Sequence, residues 1–370
     1  MKKSTTLHAL RGATAVCALL SVVSIGASAI AVAWEPNINE FLGTSSTEQV
    51  TSDESNPEEL YTYVNEDITN TDDLVAWHKD LAEREQEEGS VLLKNNNETL
   101  PLANGAKVTL LGNRAVNSVH GGQIGSSPNS AQNISLADAL EQKGFDVNPT
   151  TIEAYTAVGK TPGRLSNSFG MVQKVPNGVV VNEPSVSELE AASSNWGASI
   201  TEYSDAAIVV IGRPSSEAAD FYPGEAGLGN PDEFEEGENI LGLSINEKAI
   251  IDYACEHFEK VIVLVNSDSA MELDYVQNKA EVDSILWVGA VGNYGFLGVA
   301  DILRGEVSPS GHLPDTYAVD STSSPAMVNF GLFSFANYAD YGGNTDNSKG
   351  FAFLDEQEGI YTGYRYYETR

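Results

Sequence analysis

The sequence predicts an α/β fold in which a mostly parallel sheet lies between two layers of helices. Four short segments are mostly apolar and are predicted to be buried strands, and Ala206–Ile211 has no polar alternation at all, as expected of a strand that is buried on both faces of a parallel sheet. The four segments are residues Lys107–Leu111, Ala206–Ile211, 260–266 and 282–288. Segments with helical spacing separate them, and this alternation is typical of right-handed strand, helix, strand units. The prediction is therefore a three-layer αβα sandwich.

Composition restricts the classes of partner. The 370 residues, 41% of them hydrophobic, are enough for a large core. Twenty Lys and Arg against 53 Asp and Glu give a net charge of −33, which disfavours nucleic acid and anionic membrane surfaces as partners. The two cysteines, Cys17 and Cys255, allow no disulfide framework. The five histidines lack the close pairs of zinc sites, so we expect no transition-metal site and no cofactor.

The N-terminus has the pattern of an export segment. Lys2, Lys3 and Arg11 precede residues 12–33, which are uncharged, small and apolar. The final Ala-Val-Ala fits a signal-peptide cleavage site. The length of the stretch favours an uncleaved anchor with the rest of the chain exported. We assign 1–34 to a signal peptide or signal anchor, so the protein is predicted to be membrane-anchored on the extracellular side or secreted.

A polar spacer and a helix follow this segment. Residues 35–70 are rich in Ser, Thr, Asn and acids and contain Pro36 and Pro57, a composition typical of a spacer with little core. Residues 72–88 then have apolar side chains at helical spacing and two acids at the start, where the helix dipole favours them. We assign 35–87 to the spacer and helix.

Capping residues mark two later helices. Ser135 and Gly144 are the expected N-cap and stop of one helix. Ser244 is the expected N-cap of another, with Glu247 completing a capping box.

Two stretches are predicted to be irregular. Residues 148–195 are polar and contain Gly and Pro, with one short strand expected at 178–181. Residues 222–238 hold six acids, no bases, four glycines and two prolines, which indicates an exposed loop. These acids do not follow the ligand order of a calcium loop, so we interpret them as a solvated charge run.

The loop after Ala206–Ile211 carries the candidate site. Ligands of open α/β sheets bind where loops leave the carboxyl ends of the strands. Arg213, Ser216, Glu217 and Asp220 stand in that position. The alternative interpretation is a solvated loop with an ordinary surface Glu.

Other enzyme classes fit less well. The glycine cluster at 121–125 lacks the dinucleotide spacing and the Lys-Ser/Thr of a nucleotide loop. A Gly-x-Ser-x-Gly elbow is missing, which disfavours a serine hydrolase. A flavodoxin-like domain has the same alternation of strands and helices and is a further alternative.

Four segments resemble the second domain of family 3 glycoside hydrolases, in the order found in that family. They are EGSVLLKNNNETLPL at 88–102, GRPSSEAAD at 212–220, RGEVSPSGHLPDT at 304–316 and EGIYTGYRYYET at 358–369. The resemblance implies an αβα sandwich domain at 88–320 and a tail at 321–370 that leads toward a fibronectin-like domain and a catalytic barrel. This order is similar to the subgroup in which the sandwich precedes the barrel.

The resemblance also implies a role for the loop. Retaining glycosidases use a nucleophilic carboxylate and an acid/base carboxyl group about 5 Å apart. In two-domain members the nucleophile is on the barrel, and a sandwich loop of the form Ser-Gly-Glu-Gly-x-Asp supplies the acid/base. Residues 215–220, SSEAAD, match its Ser, Glu and Asp, whereas Ser216 and Ala218 replace the two glycines.

By this resemblance Glu217 is the catalytic acid/base. Arg213, Ser216 and Asp220 are the implied substrate-binding residues, and Glu225 in the next loop is the alternative acid/base.

The resemblance implies part of an exported retaining β-glycosidase that acts on β-glucosides or related oligosaccharides. Nothing after the Tyr-Arg-Tyr-Tyr segment resembles the barrel. We therefore expect a truncated chain that is inactive alone and whose partner is the missing barrel domain. The alternative is a non-catalytic sugar-binding or scaffolding domain on the membrane, in which the altered loop indicates that catalytic activity has been lost.

Overall fold

A computed structural model describes most of the chain in two separate units. The described residues are 2–35, 38–39, 68–122, 128–164, 179–215, 221, 232–328, 333–334, 337, 340, 352–353 and 357–369. The units are Met1–Asp67 and Ile68–Arg370. Helix α1 (Lys2–Ala33) belongs to the first unit. Its segment Leu10–Ala33 is long and apolar enough to cross a membrane, although a signal sequence has the same length and composition.

The second unit contains a six-stranded sheet. Its strands are β1 (Val91–Asn95), β2 (Lys107–Leu111), β3 (Asp146–Val147), β6 (Ala206–Ile211), β7 (Val261–Val265) and β8 (Ser284–Trp287), in the spatial order β1-β8-β7-β6-β2-β3. Strand β1 is antiparallel to β8 and has a bulge between Leu92 and Lys94. All other pairs are parallel. The predicted mostly parallel sheet is therefore confirmed.

Further short strands form two small antiparallel ribbons. They are β4 (Gly163–Arg164) with β5 (Val179–Val180), and β9 (Phe333–Ser334) with β10 (Ala352–Phe353). The remaining α-helices of the described residues are α2 (Thr71–Gly89), α3 (Leu136–Gln142), α4 (Pro149–Val158), α5 (Val186–Ala192), α6 (Trp196–Glu202), α7 (Ile245–His257), α8 (Asp274–Asn278), α9 (Phe296–Arg304), α10 (Pro325–Val328) and α11 (Tyr364–Tyr367).

Two hydrophobic cores lie on the two faces of the sheet. Successive side chains of a strand point to opposite faces, so Ile208 of β6 packs in the core with α3 and α9. Its neighbour Val209 packs in the core with α4 to α8. Every residue of β6 is buried, which explains its unbroken apolar sequence. The helices on both faces confirm the predicted three-layer sandwich.

Helix α2 packs against α9 through two glycines. A Cβ at Gly298 would lie 2.5 Å from the backbone oxygen of Glu83, and one at Gly295 would lie 2.6 Å from Gln86 Oε1. Nearby, the ammonium group of Lys143 bonds both Glu83 and Asp301. The glycines thus allow the close approach of the two helices.

The prediction of an irregular stretch at 148–195 is wrong over helices α4 and α5. Asn148 caps α4 by accepting the N–H of Thr150, Pro149 occupies the first turn, and Gly159 ends the helix at φ +70°. Ser185 and Glu188 form a capping box at the start of α5. These are standard helix boundary signals. The polar residues, glycines and prolines in the rest of the stretch concealed these signals.

The prediction of an exposed loop at 222–238 is wrong at Phe234. This side chain is buried with Val179, Ile240 and Leu241 in a third, smaller cluster. Residues 222–231 lie outside the described part of the chain. The acids that surround Phe234 in the sequence therefore did not reveal its environment.

Candidate active site at the carboxyl edge of the sheet

Four parallel strands, β2, β6, β7 and β8, end at the same edge of the sheet. Two glycines bring the strand ends into backbone contact. A Cβ at Gly112, which has φ +87°, would lie 2.3 Å from the oxygen of Val210, and one at Gly212 would lie 1.8 Å from the oxygen of Asn266. No side chain fits in either place. The loops that follow these strands therefore start from a tightly packed platform.

Asn266 joins three of the strand ends. Its Oδ1 accepts the N–H of Val119 at 2.6 Å, and its Nδ2 donates to the oxygens of Val119 at 2.9 Å and Gly289 at 2.6 Å. The side chain is fully buried. It is thus a rigid link between the loops after β2, β7 and β8.

Glu183 is a fully buried acid beside the end of β2. Its Oε2 accepts the N–H of Asn113 at 2.7 Å, and its Oε1 accepts the hydroxyl of Tyr155 at 3.1 Å. That hydroxyl in turn accepts the N–H of Gly112 at 2.7 Å. Burial raises the pKa of Glu183 to about 8, although the bond from Asn113 offsets part of the effect. The network fixes the turn that follows β2.

Arg213 is fully buried, and all five of its N–H groups are bonded within the chain. Nη1 and Nη2 donate to the two carboxylate oxygens of Glu247, both at 2.7 Å. The other donors bind the backbone oxygens of Gly212, Ile240 and Gly242. Substrate binding by Arg213 stays a prediction, and these bonds favour a different role, because no N–H is left to donate to a sugar hydroxyl.

Arg114 is a second buried cation at this edge. Its Nη1 donates to the oxygen of Asn117 at 3.0 Å, whereas Nη2 has no hydrogen-bond partner among the described residues. Burial and the nearby charge of Arg213 lower the pKa of Arg114 to about 10, against the opposing effect of Glu247 and Glu183. The guanidinium therefore stays charged at neutral pH.

The start of the candidate acid/base loop is fixed on the end of β7. The N–H of Ser215 donates to Oδ2 of Asp268 at 3.1 Å, and the N–H of Asp268 donates to the oxygen of Arg213 at 3.2 Å. Ser215 is two residues before Glu217. The backbone that leads into the predicted catalytic position is therefore held by two hydrogen bonds at the carboxyl edge.

The predicted residues Ser216, Glu217 and Asp220 lie outside the described residues, as does the alternative Glu225. Their roles stay predictions.

A polar cleft of about 360 Å³ lies beside this region. It is lined by Gly237, Glu238, Asn239, Gly242, Leu243, Lys248, Glu272, Asp274, Tyr275, Val319, Asp320 and Thr322. Glu272 accepts the N–H of Ser321 at 2.7 Å, and burial is the main cause that raises its pKa. Gly242 lines this cleft, and its backbone oxygen accepts a hydrogen bond from Arg213 at the start of the candidate loop.

One group of acids in the described part of the chain is close enough to hold a metal ion. It consists of Glu83, Glu87 and Asp301. The ammonium group of Lys143 bonds two of these carboxylates, those of Glu83 and Asp301, and so compensates part of the negative charge of the cluster.

The sequence did not identify Asn113, Tyr155, Glu183 or Asn266 as parts of this region. Asn113 and Asn266 each stand within two residues of the end of a strand, which is also the position that singles out Arg213. Tyr155 and Glu183 lie in the stretch that the sequence predicts to be irregular.

Comparison with known proteins identifies the family. A sequence model described as the glycosyl hydrolase family 3 C-terminal domain matches residues 90–364. Beta-glucosidase A of Butyrivibrio fibrisolvens is 29% identical over 293 residues, which cover 76% of this chain and 31% of that protein. A beta-glucosidase of Ruminococcus albus is 28% identical over 284 residues, 76% of this chain and 25% of that protein. The chain thus spans less than a third of the length of these relatives.

Solved structures agree with this assignment. Beta-glucosidase 3B from Thermotoga neapolitana, in complex with α-D-glucose, matches with a TM-score of 0.57 and 25% identity over 80% of this chain and 36% of that one. A beta-glucosidase from Paenibacillus barengoltzii matches with a TM-score of 0.54 and 25% identity over 78% of this chain and 28% of that one. Because the family model covers most of the chain and the fold is the same, the chain belongs to glycosyl hydrolase family 3, whose C-terminal domain it contains.

Proposed function

We propose that this chain is the sandwich part of a retaining β-glycosidase and that Glu217 is its catalytic acid/base. The observation that carries the proposal is the bond from Ser215 N to Asp268 Oδ2, which supports an anchored start for the Ser-x-Glu-x-x-Asp segment at the carboxyl edge. Beta-glucosidases among the relatives support β-glucosides or related oligosaccharides as substrates.

Glu217 performs two proton transfers in this proposal. As an acid it protonates the oxygen of the leaving group while a nucleophilic carboxylate attacks the sugar. As a base it then activates the water that hydrolyses the glycosyl intermediate. The nucleophile comes from a barrel domain, so residues 1–370 alone have no turnover. Ser216 and Asp220 bind the sugar beside Glu217.

Export is part of the proposal. The apolar stretch Leu10–Ala33 acts as a signal anchor or signal peptide and directs the second unit to the extracellular side. In the sequence, the polar spacer lies between this stretch and the second unit.

A non-catalytic sugar-binding domain is the second candidate function. One observation favours it: Ser216 and Ala218 replace both glycines of the family loop. If these positions need positive φ, each replacement costs about 1 kcal/mol or more and changes the shape of the loop.

A domain exchange tests both candidates. In beta-glucosidase A of Butyrivibrio fibrisolvens, residues 88–369 of this chain replace the matching segment. The chimera is expected to hydrolyse 4-nitrophenyl β-glucoside, and the full chain alone is not. Glu217→Gln should lower kcat/KM for 4-nitrophenyl β-glucoside by about 10²- to 10⁴-fold, with a much smaller loss of kcat/KM for the 2,4-dinitrophenyl glucoside, whose leaving group needs no proton.

Azide provides a second test, because this anion needs no general base. It should restore turnover in Glu217→Ala as β-glucosyl azide. Glu225→Gln is the matched control and should retain activity. If Glu225→Gln loses activity and Glu217→Gln retains it, Glu225 is the acid/base residue. Glucose binding without turnover in the chimera would favour the sugar-binding candidate.

A further inference from the structure

The connection between β6 and α7 runs from residue 212 to residue 244 and carries both Glu217 and Glu225. A catalytic side chain has to be held within a fraction of an ångström of its working geometry. The two ends of a connection of this length therefore need to be held together. Arg213 contacts both of its ends.

Backbone atoms of Arg213 fix the start of the connection to the loop after β7. Its N–H donates to the hydroxyl of Ser267 at 3.2 Å, and its oxygen accepts the N–H of Asp268 at 3.2 Å. The first residues of the connection are therefore held on the neighbouring strand end.

The side chain of Arg213 fixes the other end of the connection. Nε donates to the oxygen of Ile240 at 2.7 Å, and Nη2 donates to that of Gly242 at 2.5 Å. One residue thus closes the segment that runs from Pro214 to Asn239, and both candidate acid/base residues lie within this segment.

Glu247 holds the guanidinium in this orientation. Both of its carboxylate oxygens accept from Arg213, and the side chains of the pair are 0% and 3% exposed. Oε2 also accepts the N–H of Ser244, and the N–H of Glu247 donates to the Ser244 hydroxyl, which completes the capping box of α7. The planar guanidinium group, with five N–H donors, matches the two carboxylate oxygens and three backbone oxygens that surround it, whereas a lysine ammonium group with three donors does not.

We propose that Arg213, held by Glu247, is a positioning residue that closes the base of this connection and thereby sets the place of Glu217 relative to the sugar. Its action is indirect, because all its donors are used within the chain. The effect on Glu217 rests on the proposed function, whereas the closure of the connection does not.

Hydrogen exchange of the full chain tests the closure. The variants are Arg213→Lys and the double variant Arg213→Met with Glu247→Leu, in which apolar side chains replace the pair and leave no buried unpaired charge. Backbone amides of residues 215–244 are expected to exchange at least tenfold faster in both variants. Lys143→Met is the matched control, because it breaks a partly buried ion pair on the opposite face of the sheet. Equal exchange of residues 215–244 in all these proteins would overturn the proposal.

Kinetics of the chimera test the effect on Glu217. Arg213→Lys should lower kcat/KM for 4-nitrophenyl β-glucoside at least tenfold, with a smaller loss of kcat/KM for the 2,4-dinitrophenyl glucoside. A mere loss of folded protein lowers both rates equally, and that result would overturn the positioning role. If Glu217→Gln leaves the turnover of the chimera unchanged, the proposed function is wrong. Hydrogen exchange then still shows whether Arg213 holds the two ends of the connection together.

Discussion

Asn266 pairs with Val119 through both ends of its side-chain amide. The N–H of Val119 donates to Oδ1 at 2.6 Å, and Nδ2 donates back to the oxygen of Val119 at 2.9 Å. The side chain thus imitates the backbone of a neighbouring strand. Because the contact is fully buried, water cannot replace either bond when one partner is removed.

Asn266→Asp should therefore destabilise the protein strongly. The substitution keeps the shape of the side chain but removes the Nδ2 donor from the oxygens of Val119 and Gly289. We expect the free energy of unfolding to fall by about 3 kcal/mol or more, measured by urea denaturation. Asn278→Asp on the exposed side of α8 is the control and should change stability by about 0.5 kcal/mol at most. Equal effects of the two substitutions would contradict the pairing.

Glu183 should make stability depend on pH. The pKa of Glu183 is about 8 in the folded protein against 4.5 as the ordinary value. Between these values the folded state keeps a proton that the unfolded state releases, so the contribution of Glu183 to stability is largest below pH 4.5 and declines as pH rises toward 8. Relative to Glu183→Gln, the wild type should lose about 1 kcal/mol per pH unit between about pH 5 and pH 7.

Denaturation of both proteins at several pH values measures this difference. Parallel stability curves for the wild type and Glu183→Gln would show that the carboxyl group does not titrate in this window.

Gly112→Ala should cost more than Gly105→Ala. Both glycines have positive φ, +87° and +76°, which costs about 1 to 2 kcal/mol for a residue with a Cβ. Only at Gly112 would the added Cβ also meet a backbone atom, the oxygen of Val210 at 2.3 Å, whereas nothing lies within 4 Å at Gly105. Thermal unfolding of the two variants separates the cost of the backbone conformation from that of the contact.

Gly298→Ala should loosen helix α2. The added Cβ would lie 2.5 Å from the oxygen of Glu83, so the two helices must move apart. We expect faster hydrogen exchange in residues 71–89 with little change in β6. Gly197→Ala in α6 is the control, because nothing lies within 4 Å there and alanine favours helix by about 1 kcal/mol. Unchanged exchange in α2 would contradict the close packing.

Local signals predicted the fold well. The buried strands follow from short, mostly apolar runs, and Ser135 and Ser244 cap α3 and α7 as expected. These features depend only on residues a few positions apart. Helix α4 is absent from the prediction although Asn148 and Pro149 mark its start, because the surrounding composition suggests a loop.

The contacts of the site depend on distant residues and were not predictable in the same way. Arg213 stands 34 positions before Glu247, and Val119 stands 147 positions before Asn266. Such partners become evident only once the order of the strands is known. The sequence placed Arg213 at the carboxyl edge, but a charged residue there can face a ligand or bind an internal carboxylate, and only the three-dimensional packing distinguishes the two.

The ends of the six-stranded sheet limit unwanted self-association. Its outer strands are β1, which a bulge interrupts after Leu92, and β3, which is two residues long. Neither offers the long, regular row of backbone groups on which a strand from another molecule could assemble. The sheet is therefore a poor template for edge-to-edge aggregation, which suits a domain whose interior strands are rich in β-branched, apolar residues.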